Sequence, residues 1–96
     1  MPFLIASHET LAVSTTAVSL TVPTPTPRSV TRAYIKVYDA AIRWRDDGTA
    51  PTASVGHREA AGDAFFLDGV TNLTNFKAIR KDSTNAELNI IYFREE

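Results

Sequence analysis

The sequence predicts an all-β sandwich of jelly-roll or immunoglobulin-like type, with about seven or eight short antiparallel strands. Three observations carry that expectation. Apolar residues recur with a period of two, in runs rich in Val and Thr. Asp-Gly, Pro and Asn clusters cut those runs at intervals of roughly ten residues. No segment sustains the 3.6-residue apolar period of an amphipathic helix. A chain of 96 residues is one domain, residues 1–96.

The elements follow in order. Glu9 to Val13 and Thr16 to Val22 alternate, with Leu11 and Val13 on one face, then Val18, Leu20 and Val22, spaced by Ser and Thr. The residues before them, 1–7, are apolar and precede the first turn signals, and are expected to extend as an arm toward a partner chain. Pro23, Pro25 and Pro27 remove ladder donors and make their segment a stiff connection or an edge. Val30 to Asp39 is the longest clear strand. Alternation puts Ala33, Ile35 and Val37 on its core face and Val30, Arg32, Tyr34, Lys36 and Tyr38 on the other. Ala41 to Asp46 follows, with Ile42 and Trp44 opposite Arg43 and Arg45, until Asp47-Gly48 breaks it. A run at Val55 to Glu59 and the aromatic strand Ala64 to Asp68 come next, the latter facing inward through Phe65 with Leu67, or through Phe66. Val70 to Asn75 reads as a turn, with a short helix there or near Ala60 as the alternative. Phe76 to Arg80 and Ala86 to Phe93 close the chain around the polar turn Lys81 to Asn85. The expected core is Val18, Leu20, Ile35, Val37, Ile42, Trp44, Leu67, Ile79, Leu88 and Ile90.

Composition narrows the function. Ten Lys and Arg against 11 Asp and Glu give a net charge of -1, which supplies no field for a phosphate backbone or an anionic membrane. The absence of cysteine excludes disulfides, thiol nucleophiles and thiolate metal sites. No stretch reaches the roughly 18 apolar residues of a membrane span, and Met1 to Ile5 lacks a basic n-region, so the protein is expected to stay where it is made. His8 and His57 have no second ligand at a strand or helix spacing, and a metal site needs a tertiary meeting with Asp46, Asp47 or Glu59. The carboxylates Asp46, Asp47, Glu59, Asp63 and Asp68 sit beside turn residues, and turn chemistry explains them. No Gly-x-Ser-x-Gly elbow or phosphate-cradling glycine loop occurs, so the expectation is a protein that is not an enzyme and takes no cofactor or metal. Arg43 and Arg45 flank Trp44 as an oligonucleotide-binding barrel would have it, but alternation separates them from the indole, and specific nucleic-acid binding is not expected. The Asn72-Leu73-Thr74 sequon is read as a polar turn.

Apolar groups on both faces of Asn89 to Phe93, and Tyr34 and Tyr38 among charges, are more apolar surface than one thin sandwich hides. A partner interface is therefore expected at Phe3, Leu4, Ile5, Tyr34, Tyr38, Arg80, Ile91 and Phe93. The alternative is a last strand enclosed between two sheets.

The order Asp47-Gly48-Thr49-Ala50-Pro51-Thr52, Gly56-His57, Ala61-Gly62-Asp63 and Phe76-Lys77-Ala78-Ile79-Arg80, behind the basic strand Ala41 to Arg45, resembles a group of small tailed-phage and prophage proteins. That resemblance covers about the C-terminal half and part of the middle, and implies a virion structural component, made in the host cytoplasm and residing in the particle. With the surplus apolar surface it points to a head decoration or cement protein on the capsid lattice. Its partners would be the major capsid protein or other virion proteins, and copies of itself, a trimer being favoured. A head-tail connector, neck or tail component is the alternative. The Asp-Gly-Thr-Ala-Pro-Thr piece also resembles the turn of chitobiase-type immunoglobulin-like modules, without their preceding Tyr-Thr pair, which implies a more distant carbohydrate-binding reading.

Overall fold

The computed structural model describes residues 3–22 and 30–95. Its elements run β1 (Phe3–Val13), β2 (Val18–Ser19), β3 (Val30–Tyr38), β4 (Ile42–Arg45), β5 (His57–Glu59), β6 (Ala64–Asp68), α1 (Val70–Asn75), β7 (Lys77–Arg80) and β8 (Ala86–Glu95). Two four-stranded antiparallel sheets form, in the orders β1-β8-β3-β6 and β2-β7-β4-β5. The protein is an all-β sandwich.

The pairing scheme decides between the two expected types. β1 pairs with β8, β2 with β7, β3 with β6, and β4 with β5. The first half of the chain thus lies antiparallel against the second, as one long ribbon, and rolling that ribbon adds the β3–β8 and β4–β7 contacts that complete the sheets. This is jelly-roll connectivity, the double Greek key.

Burial follows alternation on the long strands. Ala33, Ile35 and Val37 of β3 and Leu88, Ile90 and Tyr92 of β8 are buried and lie opposite one another in register. Val13, Val30, Ile42, Leu67, Leu73, Phe76, Ala78 and Ala86 complete the interior. Each of the larger aliphatic or aromatic side chains among them contributes about 1.5 to 3 kcal/mol by leaving water, and each alanine less. Six of the ten expected core residues, Ile35, Val37, Ile42, Leu67, Leu88 and Ile90, are buried. Val18, Leu20 and Trp44 are half-buried against the core, because the second sheet is built of short strands that cover only part of the first. Ile79 corrects the expectation: it pairs with Arg43 and shares its outward face, leaving the interior of β7 to Ala78.

Four local features depart from the sequence reading. Residues 1–7, expected as an arm, belong to β1 from Phe3 onward, where Phe3, Leu4 and Ile5 pair with Glu95, Arg94 and Phe93. The strand expected over Thr16 to Val22 contracts to Val18–Ser19. Val30, expected on the outer face, is buried, because an extra residue at Thr31 shifts the β3–β8 register between Val30 and Arg32 and reverses the parity. Val70–Asn75 is the short helix that stood as the alternative. Gly69, at φ 98°, ends β6 and its carbonyl accepts from the Leu73 N–H at 3.0 Å, while Asn72 Nδ2 donates to the Asp68 carbonyl at 2.9 Å. Six residues are too few to be helical alone, so α1 depends on Leu73, which is fully buried. The expected proline-rich connection, Pro23 to Pro27, lies outside the described residues.

One polar contact closes the edge of the sandwich. The Tyr92 hydroxyl donates to Glu9 Oε1, which also accepts the Thr21 N–H at 3.0 Å. Burial first, then the bond to Glu9 and its charge, raise the Tyr92 hydroxyl far above its ordinary range. The folded chain therefore keeps a proton that the unfolded chain releases above about pH 10, so this stabilisation is complete below that pH and is lost as pH rises. Tyr92→Phe should cost about 2 kcal/mol at neutral pH, as a hydrogen bond to a charged group does. It should also flatten the alkaline fall of stability, read as urea midpoints between pH 7 and 11.

Candidate functional site

Two surfaces merit attention, one on each sheet. On the first sheet the outer face is built from residues that alternate with the core. Ile91 of β8 lies between His8 of β1 and Tyr34 of β3, and Tyr34 pairs in turn with Phe66 of β6. A continuous row, His8–Ile91–Tyr34–Phe66, thus crosses all four strands. The adjacent row reads Ile5–Phe93–Arg32–Asp68, and on the other side Asn89 stands between Thr10 and Lys36. Phe66 is 50% exposed and Ile5 59%. Tyr34 and Phe66 rings meet at 5.0 Å, tilted by 56°. The Arg32 guanidinium lies 4.0 Å over the Phe66 ring while its Nε pairs with Asp68 at 2.9 Å, so charge and aromatic surface are held together.

Of the expected interface residues, the structure brings Ile5, Tyr34, Ile91 and Phe93 onto this face. Tyr38 shares it farther along, opposite Glu87. Leu4 pairs with Arg94 and so takes the opposite face, at the end of the sheet. The Phe3 side chain lies outside the described part of the structure. Arg80 is not brought to this surface: it sits on β7 in the other sheet, opposite Ile42, and its Nη1 donates to Asn85 Oδ1 at 2.7 Å. Phe66 was missed as an interface residue, because Phe65-Phe66 offers two registers. Leu67, buried opposite Ala33, selects the one that turns Phe66 outward.

The second surface is the loop between β4 and β5. Asp47 accepts from Arg45 Nε at 3.1 Å and from the Thr49 N–H at 3.2 Å, and Gly48 takes φ 85°. The hydrogen bonds from Arg45, then that from Thr49, hold the Asp47 carboxyl below its usual range. Beyond Pro51, Thr52 and Val55 exchange backbone hydrogen bonds, and the Thr52 hydroxyl accepts the Val55 N–H at 3.0 Å. Arg43 secures this turn from the strand below, donating to the Ala53 carbonyl at 3.1 Å and the Gly56 carbonyl at 2.9 Å. Gly56 has φ 132°, and a Cβ there would stand 3.0 Å from the Trp44 carbonyl. The motif residues therefore fix a loop against its own sheet.

This loop borders an open concavity of about 330 Å³ lined by Arg45, Asp46, Asp47, Val55, Gly56 and His57. His57, Asp46 and Asp47 border the same concavity, and Asp47 is held by Arg45. Among the described residues no three His, Asp or Glu side chains stand together as a metal site. His8 lies on the other sheet. Trp44 is enclosed by aromatic neighbours: Phe65 stacks on it at 4.8 Å and 4°, with His57 at 4.7 Å and Phe76 at 5.5 Å.

Comparison with family models, curated proteins and solved structures returned no match.

Gly56→Ala combines a disfavoured φ with a backbone clash and should destabilise the protein by about 2 kcal/mol, while Trp44→Ala should cost about 2 to 4 kcal/mol, both read by urea unfolding. Asp47 has a lowered folded pKa, so its contribution is present above the ordinary carboxylate range and is lost as pH falls. Protection of the Thr49 amide, taken as its exchange rate relative to the intrinsic rate at the same pH, should fall as pH drops below about 4, and Asp47→Asn should remove that dependence.

Proposed function

We propose that this chain is a non-enzymatic structural protein of a tailed-phage particle, a head decoration or cement protein that binds the capsid lattice as a homo-oligomer. The observation that carries the binding role is the outer face of the first sheet. It displays Ile5, Tyr34, Phe66, Ile91 and Phe93 with Arg32, the aromatic, aliphatic and arginine mixture typical of protein interfaces. The particle itself is supplied by the resemblance of the Asp47 to Thr52 loop and its companion segments to small phage and prophage proteins. The jelly roll agrees with this reading without selecting it, since capsid, lectin and cupin domains share the fold. In this reading the major capsid protein is the lattice partner and the Arg43-anchored loop is a rigid scaffold element.

A head-tail connector, neck or tail component is the second reading, favoured by the same exposed face. The carbohydrate-binding reading draws less support, since Phe65 stacks on one face of the Trp44 ring that a sugar would otherwise use. Copy number separates the first two. Quantitative staining of purified particles should give hundreds of copies for a lattice protein and about six or twelve for a ring. Particles lacking the protein should keep their shape and release DNA at a lower temperature, because a ligand that binds only the assembled shell stabilises it. A low count rejects the cement role, and absence from particles rejects both virion readings.

A further inference from the structure

We infer that the outer face of the first sheet packs against the same face of a second copy, about a two-fold axis that runs parallel to the strands between β8 and β3. The inference deepens the proposed function by naming a partner, and it rests on that reading of this face as the binding surface.

Along β8 the outward residues are Glu87, Asn89, Ile91 and Phe93, and along β3 their direct neighbours are Tyr38, Lys36, Tyr34 and Arg32. A two-fold axis in the interface plane between these strands exchanges them. Each outward residue of β8 then meets, across the interface, the type of residue it already adjoins within its own sheet. Glu87 meets the partner's tyrosine hydroxyl at position 38, Asn89 the ammonium at 36, Ile91 the ring at 34 and Phe93 the guanidinium at 32. Every central pairing is favourable, and none sets like charge against like. A two-fold perpendicular to the strands through the Tyr34 row instead brings Arg32 over Lys36, which repels.

Charge and area fit the same occupant. Arg32 and Lys36 balance Asp68 and Glu87, so the face carries no net field to attract a phosphate chain, while a self-related face needs only internal balance. Four strands about 4.8 Å apart and four outward rows about 6.8 Å apart give roughly 500 Å² per copy. The total, on the order of 1,000 Å², lies at the lower limit for a specific interface, so the pair should form reversibly with concentration. The hydrophobic centre, Ile91 and Tyr34, lies beside the axis, and Phe66 and His8 flank it. Asp68 falls at the rim and keeps its pairing with Arg32. A face that packs on itself closes in pairs, so this two-fold replaces the three-fold closure favoured from the sequence.

Sedimentation equilibrium of the full chain should show a monomer–dimer equilibrium in the micromolar to millimolar range. Phe66→Glu, at a half-exposed edge position, and Ile91→Lys should shift that equilibrium toward monomer by at least tenfold, with the β-sheet dichroism retained. Because Ile91→Lys sits on a central strand and can impair folding, a second measurement is independent of it. The chain has no cysteine, so Asn89→Cys introduces a single thiol near the axis. With the two sheets about 10 Å apart, a short bis-maleimide should join that thiol to its counterpart, whereas Ser83→Cys in the distant turn should remain unjoined. A chain that is monomeric throughout, a trimer, or Asn89→Cys cross-linking no faster than Ser83→Cys overturns the inference. If the chain is monomeric and Phe66→Glu abolishes its binding to particles, the face belongs to the shell, and the two-fold falls while the proposed function stands. If the dimer forms and particles do not bind it, the function falls and the two-fold stands.

Discussion

Everything in this fold depends on β8. It is central in the first sheet, held between β1 and β3, and its inward residues Ala86, Leu88, Ile90 and Tyr92 meet Val13, Leu11, Glu9 and Ser7 on one side. On the other side Leu88, Ile90 and Tyr92 meet Val37, Ile35 and Ala33. Because the strand comes last in the chain and pairs with the first, no long-range order is complete until the ribbon has rolled. Such a topology orders non-local contacts late, and the hydrophobic row of β8 is the surface onto which both flanking strands must register. A one-residue slip of β8 would turn Leu88, Ile90 and Tyr92 outward.

The two sheets divide the labour unequally. The first has the long strands, the interior row and the exposed aromatic face. The second is short and supports the loop between β4 and β5 through Arg43, Arg45 and Gly56. On the exposed face, Asn89, Ile91 and Phe93 of the central β8 stand between residues of β1 and β3 and are half-buried by those lateral neighbours. The half-buried Ile91 and Tyr34 are thereby kept in place as a rigid row, and a rigid row loses little entropy on contact with a partner.

Much of this organisation was legible in the residues. The inward faces of β3 and β8 are simple alternation, and Ile35, Val37, Leu88 and Ile90 could be assigned from it. The surplus apolar surface of Tyr34, Ile91 and Phe93 was legible for the same reason. Ile79 was misassigned where alternation holds, on β7, and other errors fall where parity fails. Thr31 inserts one residue and buries Val30, and a further irregularity between Ile5 and Ser7 sets Ile5 and His8 on the same face of β1 although their spacing is odd. Bulges carry no reliable composition signal. The helix at Val70–Asn75 was ambiguous because its stability comes from burying Leu73 against other elements, which local propensity does not report.

By itself the sequence determined the class of fold, the alternating faces of the regular stretches of β3 and β8 and the break at Asp47-Gly48, because period-two patterning and Asp-Gly or Pro punctuation act over a few residues. Tertiary structure alone decided the jelly-roll pairing of first strand with last, the outward turn of Phe66, the removal of Arg80 from the exposed face and the enclosure of Trp44 by Phe65. Each of these depends on which strands become neighbours across long stretches of chain. Alternation specifies that a side chain has an inside and an outside, while the choice of neighbour is made by the packing of the whole sandwich.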